Sequence, residues 1–298
     1  MTNFLIDFFQ YTIDGALKGM LYALIALSFV VIYRAGRIFN FAQGEVLVLG
    51  GYLVLTFCTL FSLPFWLGMI LSILSMAVIG VIIERGIFRP LIGQELFSLI
   101  MVTIALIFIL QGVTIVIWGG MERPFPFIVA QEPFRVGPFL LNRPILLGGI
   151  LSLGLIALLS FLFERSRWGL TLTAVAEEHK IAQSLGISVK KAIAIGWAIS
   201  CILSTVASMI FLNGQAINFT ASVIGLQALP VALLAGVESI WGVPLAGLIV
   251  GLGEAWAVYF LDPYTGGAMS RIFPYILMLV ILLIRPYGLF GWKTIERV

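Results

Sequence analysis

The side chains in this sequence that can carry chemistry are few, and several stand where water is scarce. Asp14 and Lys18 are one helical turn apart in the first apolar stretch, Glu45 directly precedes another, and Glu254 lies well inside a third. A lone charge at the centre of a membrane helix costs on the order of 3 kcal/mol even on lenient scales, so each needs a partner, a cavity or water. Asp14 before Lys18 is the acid-then-base spacing that pairs across a turn, and a local ion pair near the outer end of the first span is expected. Glu254 has no base within a turn of it. It should face protein or a cavity, either bonding a neighbouring helix or relaying protons. Glu45 suits a first-turn charge favoured by the helix dipole as well as a place on a solute path. His179 is the only histidine, which excludes a His-based metal cluster and a Ser-His or Cys-His nucleophile pair. Cys58 and Cys201 fall in apolar runs, where a thiol acts as a small hydrophobe, so no disulfide is expected. No Gly-x-x-x-x-Gly-Lys-Ser/Thr loop is present to bind a nucleotide. What remains is passage of a solute, with no metal, cofactor or nucleic acid implied.

The elements that must position these groups are membrane helices. Of 298 residues, 61% are hydrophobic and 10% charged, a balance a water-soluble domain could not keep without large exposed apolar patches. Spanning a hydrocarbon core of about 30 Å takes roughly 20 helical residues. Apolar runs cover 13–33, 46–61, 64–83, 97–118, 144–163, 192–212, 241–260 and 272–284. A ninth, Gly225 to Gly236, carries Pro230 and is short for a crossing, so it is either a half-helix or a re-entrant segment. The expected fold is therefore an all-α integral membrane protein of eight to nine transmembrane helices in a single permease-like domain, 1–298. The first run is not expected to be a cleaved signal, because residues 1–12 hold no Lys or Arg. Arg85 and Arg89, then Arg165, Arg167, Lys180, Lys190 and Lys191, then Arg285, Lys293 and Arg297 mark cytoplasmic segments by the positive-inside rule, which puts the C-terminus inside and the loop 119–143 outside.

The longest polar stretch, 164–191, contains a short expected helix from Thr173 to Leu185, stopped by Gly186. Ala174, Ile181, Ala182 and Leu185 fall near one face. Such a helix either lies on the membrane or fits a protein groove, and its small apolar residues suit the groove better. The run Ala182-Gln-Ser-Leu-Gly186 resembles the coupling loop of ABC importer permeases, whose pattern is Glu-Ala-Ala, three residues, then Gly. Ala182 and Gly186 match; Lys180 stands in the place of the family's Glu, so the resemblance implies that Glu177 or Glu178 supplies any acidic function.

Two further signatures extend the likeness. Gly19-Met-Leu-Tyr22, Asn40-Phe-Ala-Gln43-Gly44-Glu45 and Leu49-Gly-Gly-Tyr52 near the start, with Gly225-Leu-Gln-Ala-Leu-Pro, Ser239-Ile-Trp-Gly242 and Arg285-Pro-Tyr-Gly288-Leu-Phe-Gly291 later, resemble permeases of branched-chain amino-acid type ABC importers. Gln43 stands where that family usually has His. The resemblance implies a multi-pass bacterial inner-membrane subunit that does no chemistry of its own. Its implied partners, besides lipid, are a second permease subunit, two cytoplasmic ATP-binding subunits and a periplasmic solute-binding protein. Its solute would be a branched-chain amino acid, amide, urea or related carboxylate.

Locally, Asn40 through Gln43 fits a capping box opening a helix. Ala216-Ile-Asn218-Phe-Thr echoes Arg37-Ile-Phe-Asn40-Phe, a weak internal repeat. If the repeat is real, the path runs between halves with Asn40, Gln43 and Asn218 beside it, joined by Glu45 and Glu254; plain capping is the alternative for Asn40. A proton-coupled transporter relaying through Glu254 is the competing functional reading, and an intramembrane enzyme a third.

Overall fold

The computed structural model describes residues 2–177 and 179–291. Among these, eleven α-helices account for nearly all of the regular structure: α1 Thr2–Gly36, α2 Gln43–Leu55, α3 Phe65–Ile83, α4 Leu96–Trp118, α5 Arg143–Arg165, α6 Arg167–Glu177, α7 His179–Ser184, α8 Val189–Phe211, α9 Val223–Ala235, α10 Gly242–Thr265 and α11 Met269–Ile284. Among the described residues seven helical stretches are long and apolar enough to cross a membrane, and two shorter apolar helices join them, 220–235 and 269–284. All nine apolar runs of the sequence are therefore helical. The last, at 16 residues, is about 24 Å long and shorter than its reading as an ordinary span required. The run from Gly225 lies in α9, with Pro230 inside the helix. Trp66, Phe108 and Val116 on α3 and α4 are largely exposed, as expected of helices whose outer faces meet lipid.

The chain forms two compact units, 1–27 with 129–157 and 227–298, and 28–128 with 158–226. In the first, α1 and α10 approach at glycines: a Cβ on Gly19 would strike the Gly247 carbonyl oxygen, and one on Gly15 would meet Ala255 and, at 2.7 Å, the Gly251 carbonyl oxygen. Such small-residue faces let membrane helices pack backbone to backbone. Phe8 stacks on Trp256 and meets Tyr259 and Phe260 edge-on or tilted, an aromatic cluster of the kind found at membrane interfaces. Strands β2 Phe134–Val136 and β3 Phe139–Leu141 pair antiparallel in this unit.

In the second unit α8 lies along α2 and α3. Gly50 faces Thr205, and Gly80 faces Cys201 and Trp197. The Trp197 ring stacks on Phe88 with centroids 4.6 Å apart. Glu84, fully buried, holds Arg89 through two bonds of 3.1 and 2.7 Å. Strands β1 Arg123–Pro124 and β4 Ala216–Ile217 pair antiparallel.

Candidate functional site

The residues singled out from sequence fall into separate places. In the second unit, α1 ends at Gly36, Arg37 takes a left-handed φ of 52°, and the chain turns back so that α2 starts beside α1. Gln43 Nε2 shares its two N–H bonds among the hydroxyls of Ser28 on α1 at 2.8 Å and of Ser200 and Ser204 on α8 at 3.0 and 2.6 Å. Ser28 is eight residues before Gly36, so the start of α2 lies about 12 Å back along α1 from its end. Asn40 Nδ2 donates to Gln43 Oε1 at 2.9 Å, while Asn40 Oδ1 accepts from the Ala42 N–H at 3.1 Å. A helix does open at Gln43, but the reciprocal capping box does not form. The Gln43 amide is drawn instead to serines on two other helices, and the Asn40 side chain closes a tighter turn. Both residues are fully buried.

Glu45 points elsewhere: Gln111 Nε2 on α4 donates to its Oε1 at 2.8 Å, and Ser222 also bonds it. Asn218 is not joined to Asn40 or Gln43. It donates to Glu122 Oε1 at 2.6 Å and accepts from Thr220. Gly225 packs directly on Gly44, so the starts of α2 and α9 touch within this unit.

The coupling segment is helical on either side of Glu178, over α6 and α7. α6 begins at Arg167, earlier than expected, and α7 ends before Gly186, whose φ of 79° is left-handed. The Ile187 N–H reaches back to the Ala182 carbonyl at 3.0 Å and Gly186 N–H to Gln183, the Schellman pattern that makes Gly the favoured stop. Leu172, Val175 and Ala182 are buried and Leu185 is 71% exposed, so the expected apolar face loses Leu185 and moves toward α6. Glu178 lies outside the described residues, as do the side chains of Glu177 and Lys180. One contact that sequence reasoning missed ties this segment to α1: Arg34 donates to Thr173 Oγ1 at 2.7 Å and lies over the Phe163 ring at 5.3 Å. Nearby, a cavity of about 700 Å³ is lined by Tyr33, Arg37, Phe88, Gln94, Ala176 and Gln183, among others.

In the first unit Glu254, 2% exposed, accepts from Lys18 Nζ at 2.6 Å. This corrects the expected Asp14–Lys18 pair. Asp14 takes a bond from Gln10 instead, at 2.8 Å, because the glycine-mediated approach of α10 brings a stronger partner to Lys18. The missed residues share a legible signal. Ser200 and Ser204, and likewise Gln10 and Tyr22 in register with the Asp14 and Lys18 already singled out, are polar positions repeated every fourth residue of an apolar run, hence one face of a helix.

Comparison with known proteins shows a match to the family described as branched-chain amino acid transport system / permease component over residues 11–282. The chain is 29% identical to the high-affinity branched-chain amino acid transport system permease protein BraD of Pseudomonas aeruginosa, covering 98% of each. It is 27% identical to the corresponding permease protein LivH of Salmonella typhimurium over the whole of both. Among solved structures it is similar to PsaBC from Streptococcus pneumoniae in complex with Fab, with a TM-score of 0.47 and 13% identity over 93% of this chain and 91% of that one.

Proposed function

Since the chain belongs to the branched-chain amino acid transport permease family of ABC importers, we propose that it forms, with a second permease subunit, the inner-membrane path for a branched-chain amino acid. A periplasmic binding protein delivers the solute, and cytoplasmic ATP-binding subunits drive it through the segment 164–191, the C-terminus lying on the same side as those subunits. The observation that carries this reading is the family match, which runs through both units and the coupling segment. The local geometry agrees with it. A helical segment ended by a left-handed Gly186, with Ala182 buried, offers a ledge to push on. The bond from Arg34 to Thr173 carries displacement of that ledge into α1.

The test is purification of the complex and uptake in proteoliposomes. ATPase subunits are expected to copurify, and uptake is expected to stop on ATP depletion with the proton gradient intact. Ala182→Arg and Gly186→Glu should separate ATP hydrolysis from uptake while the membrane helices stay folded. Uptake that survives without ATP, and is abolished by Glu254→Gln, would replace this reading with a proton-coupled transporter.

A further inference from the structure

The cavity beside the coupling segment has walls of two kinds. It lies wholly within the second unit, where the end of α1 meets the loop that leads into α4. Its volume of about 700 Å³ falls in the range of roughly 300–1,000 Å³ that houses a ligand of drug size. A bare phosphate would leave most of it empty.

Leu91, Ile92, Leu96 and Leu99 give it an apolar flank. Leu96 is at the same time 59% exposed, beside Phe97 at 66%, on the helix whose outer face meets lipid. The flank is therefore continuous with the bilayer-facing surface of α4, and a hydrocarbon chain can enter from the side. Arg37, Gln94 and Gln183 form the polar flank. Arg37 is exposed and its φ of 52° is left-handed, where glycine would suit the backbone better; the chain nonetheless presents a guanidinium there. Among the described residues no wall is acidic, and the neighbouring Glu84 is neutralised by Arg89. Lys190, exposed and three residues before the wall residue Ile193, adds positive charge on the same side of α8. Guanidinium groups bind phosphate through paired N–H donors, and basic pockets between helices at the cytoplasmic membrane surface take anionic lipid head groups.

We propose that this cavity binds one anionic phospholipid of the inner leaflet, with its phosphate on Arg37 and an acyl chain along Leu96 and Leu99. Ala176 of α6 and Gln183 of α7 wall the same space as Tyr33 and Gly36 of α1. The lipid therefore bridges the coupling segment and the helix that Arg34 ties to it, and holds the two together. Its leaflet and its effect on coupling rest on the transport reading above, whereas binding needs only the cavity.

Native mass spectrometry of the complete complex, exchanged into neutral detergent with either phosphatidylglycerol or phosphatidylcholine, tests the ligand. The wild type is expected to retain one phosphatidylglycerol per copy of this chain that phosphatidylcholine does not replace. Arg37→Gln should weaken that retention about tenfold or more, the usual loss for a hydrogen bond to a charged group. Leu99→Trp, which fills the apolar flank and leaves the charge alone, should weaken it too, while Arg285→Gln, a basic residue of the other unit, should not. Equal retention of the two lipids overturns the proposal, as does an equal loss in Arg285→Gln. So does displacement by matched sn-glycerol 3-phosphate, which would make this a site for soluble phosphates. No retained lipid also overturns it, the result expected were the cavity filled by the ATP-binding subunit. In nanodiscs, uptake per ATP hydrolysed should rise severalfold from phosphatidylcholine to phosphatidylglycerol in the wild type and stay flat in Arg37→Gln; the same rise in both refutes the bridge. If the variants do not assemble, the two lipids and glycerol phosphate on the wild-type complex still decide. A complex that keeps its phosphatidylglycerol but shows no ATP-dependent uptake would sink the transport reading and leave the lipid site standing.

Discussion

Replacing Arg34 with Ala should uncouple the segment 164–191 from α1, and the size of the effect follows from two contacts. The bond from the guanidinium to Thr173 Oγ1 is 2.7 Å long, and hydrogen bonds to charged groups contribute about 1.5–3 kcal/mol. The placement over Phe163 at 5.3 Å adds about 0.5–1 kcal/mol at a partly exposed site. Arg34 is half-buried, so the lower end applies, about 2 kcal/mol, or roughly a 30-fold shift in the equilibrium for local release of α6. Amide hydrogen exchange reads that equilibrium directly. In Arg34→Ala the α6 amides should exchange about 30-fold faster while those of α8 keep their rates, and uptake per ATP should fall in step. Arg34→Lys should land between, since an ammonium can still reach Thr173 but lacks the planar face that stacks on Phe163. Exchange in α6 altered by less than about threefold would refute the latch. So would an equal increase in α8, which would signal general loosening.

Two packing predictions accompany it. Gly19→Ala places a methyl group against the Gly247 carbonyl oxygen and 3.2 Å from the Gly251 Cα; backbone must move, and the thermal midpoint of the complex should fall by the equivalent of about 1–3 kcal/mol, an unchanged midpoint counting against the α1–α10 contact. Gln43→Leu strips the donor from Ser28 and Ser204 and should cost about 1–3 kcal/mol of stability while uptake per folded complex stays near wild type, whereas a folded, stable, transport-dead variant would return Gln43 to the solute path.

Helix positions were legible because bilayer thickness imposes one length on every apolar run, and a run such as 97–118 maps onto α4 almost residue for residue. The stop at Gly186 was legible because a left-handed φ is a local property that glycine advertises. Partners across helices were not. Lys18 reads as the mate of Asp14, one turn away, and is in fact bonded to Glu254, 236 residues on, because Gly15, Gly19, Gly247 and Gly251 let two backbones close. Leu185 reads as core and is exposed, because it lies past the end of α7 beside Gly186 while α6 supplies the buried face through Leu172 and Val175.

The same distinction governs the polar residues within the membrane helices. Asn40, Gln43, Ser200 and Ser204 are polar and intramembrane, and each is buried and bonded by its neighbours. From sequence Asp14 and Lys18 read as a local helix pair, and Glu254 as an acid that must face protein or a cavity. In the fold Glu254 accepts from Lys18 at 2.6 Å with Tyr22 beside it, so these groups tie α10 to α1. Polarity alone therefore marks candidates, and the packing of one helix on another decides which partner each of them takes.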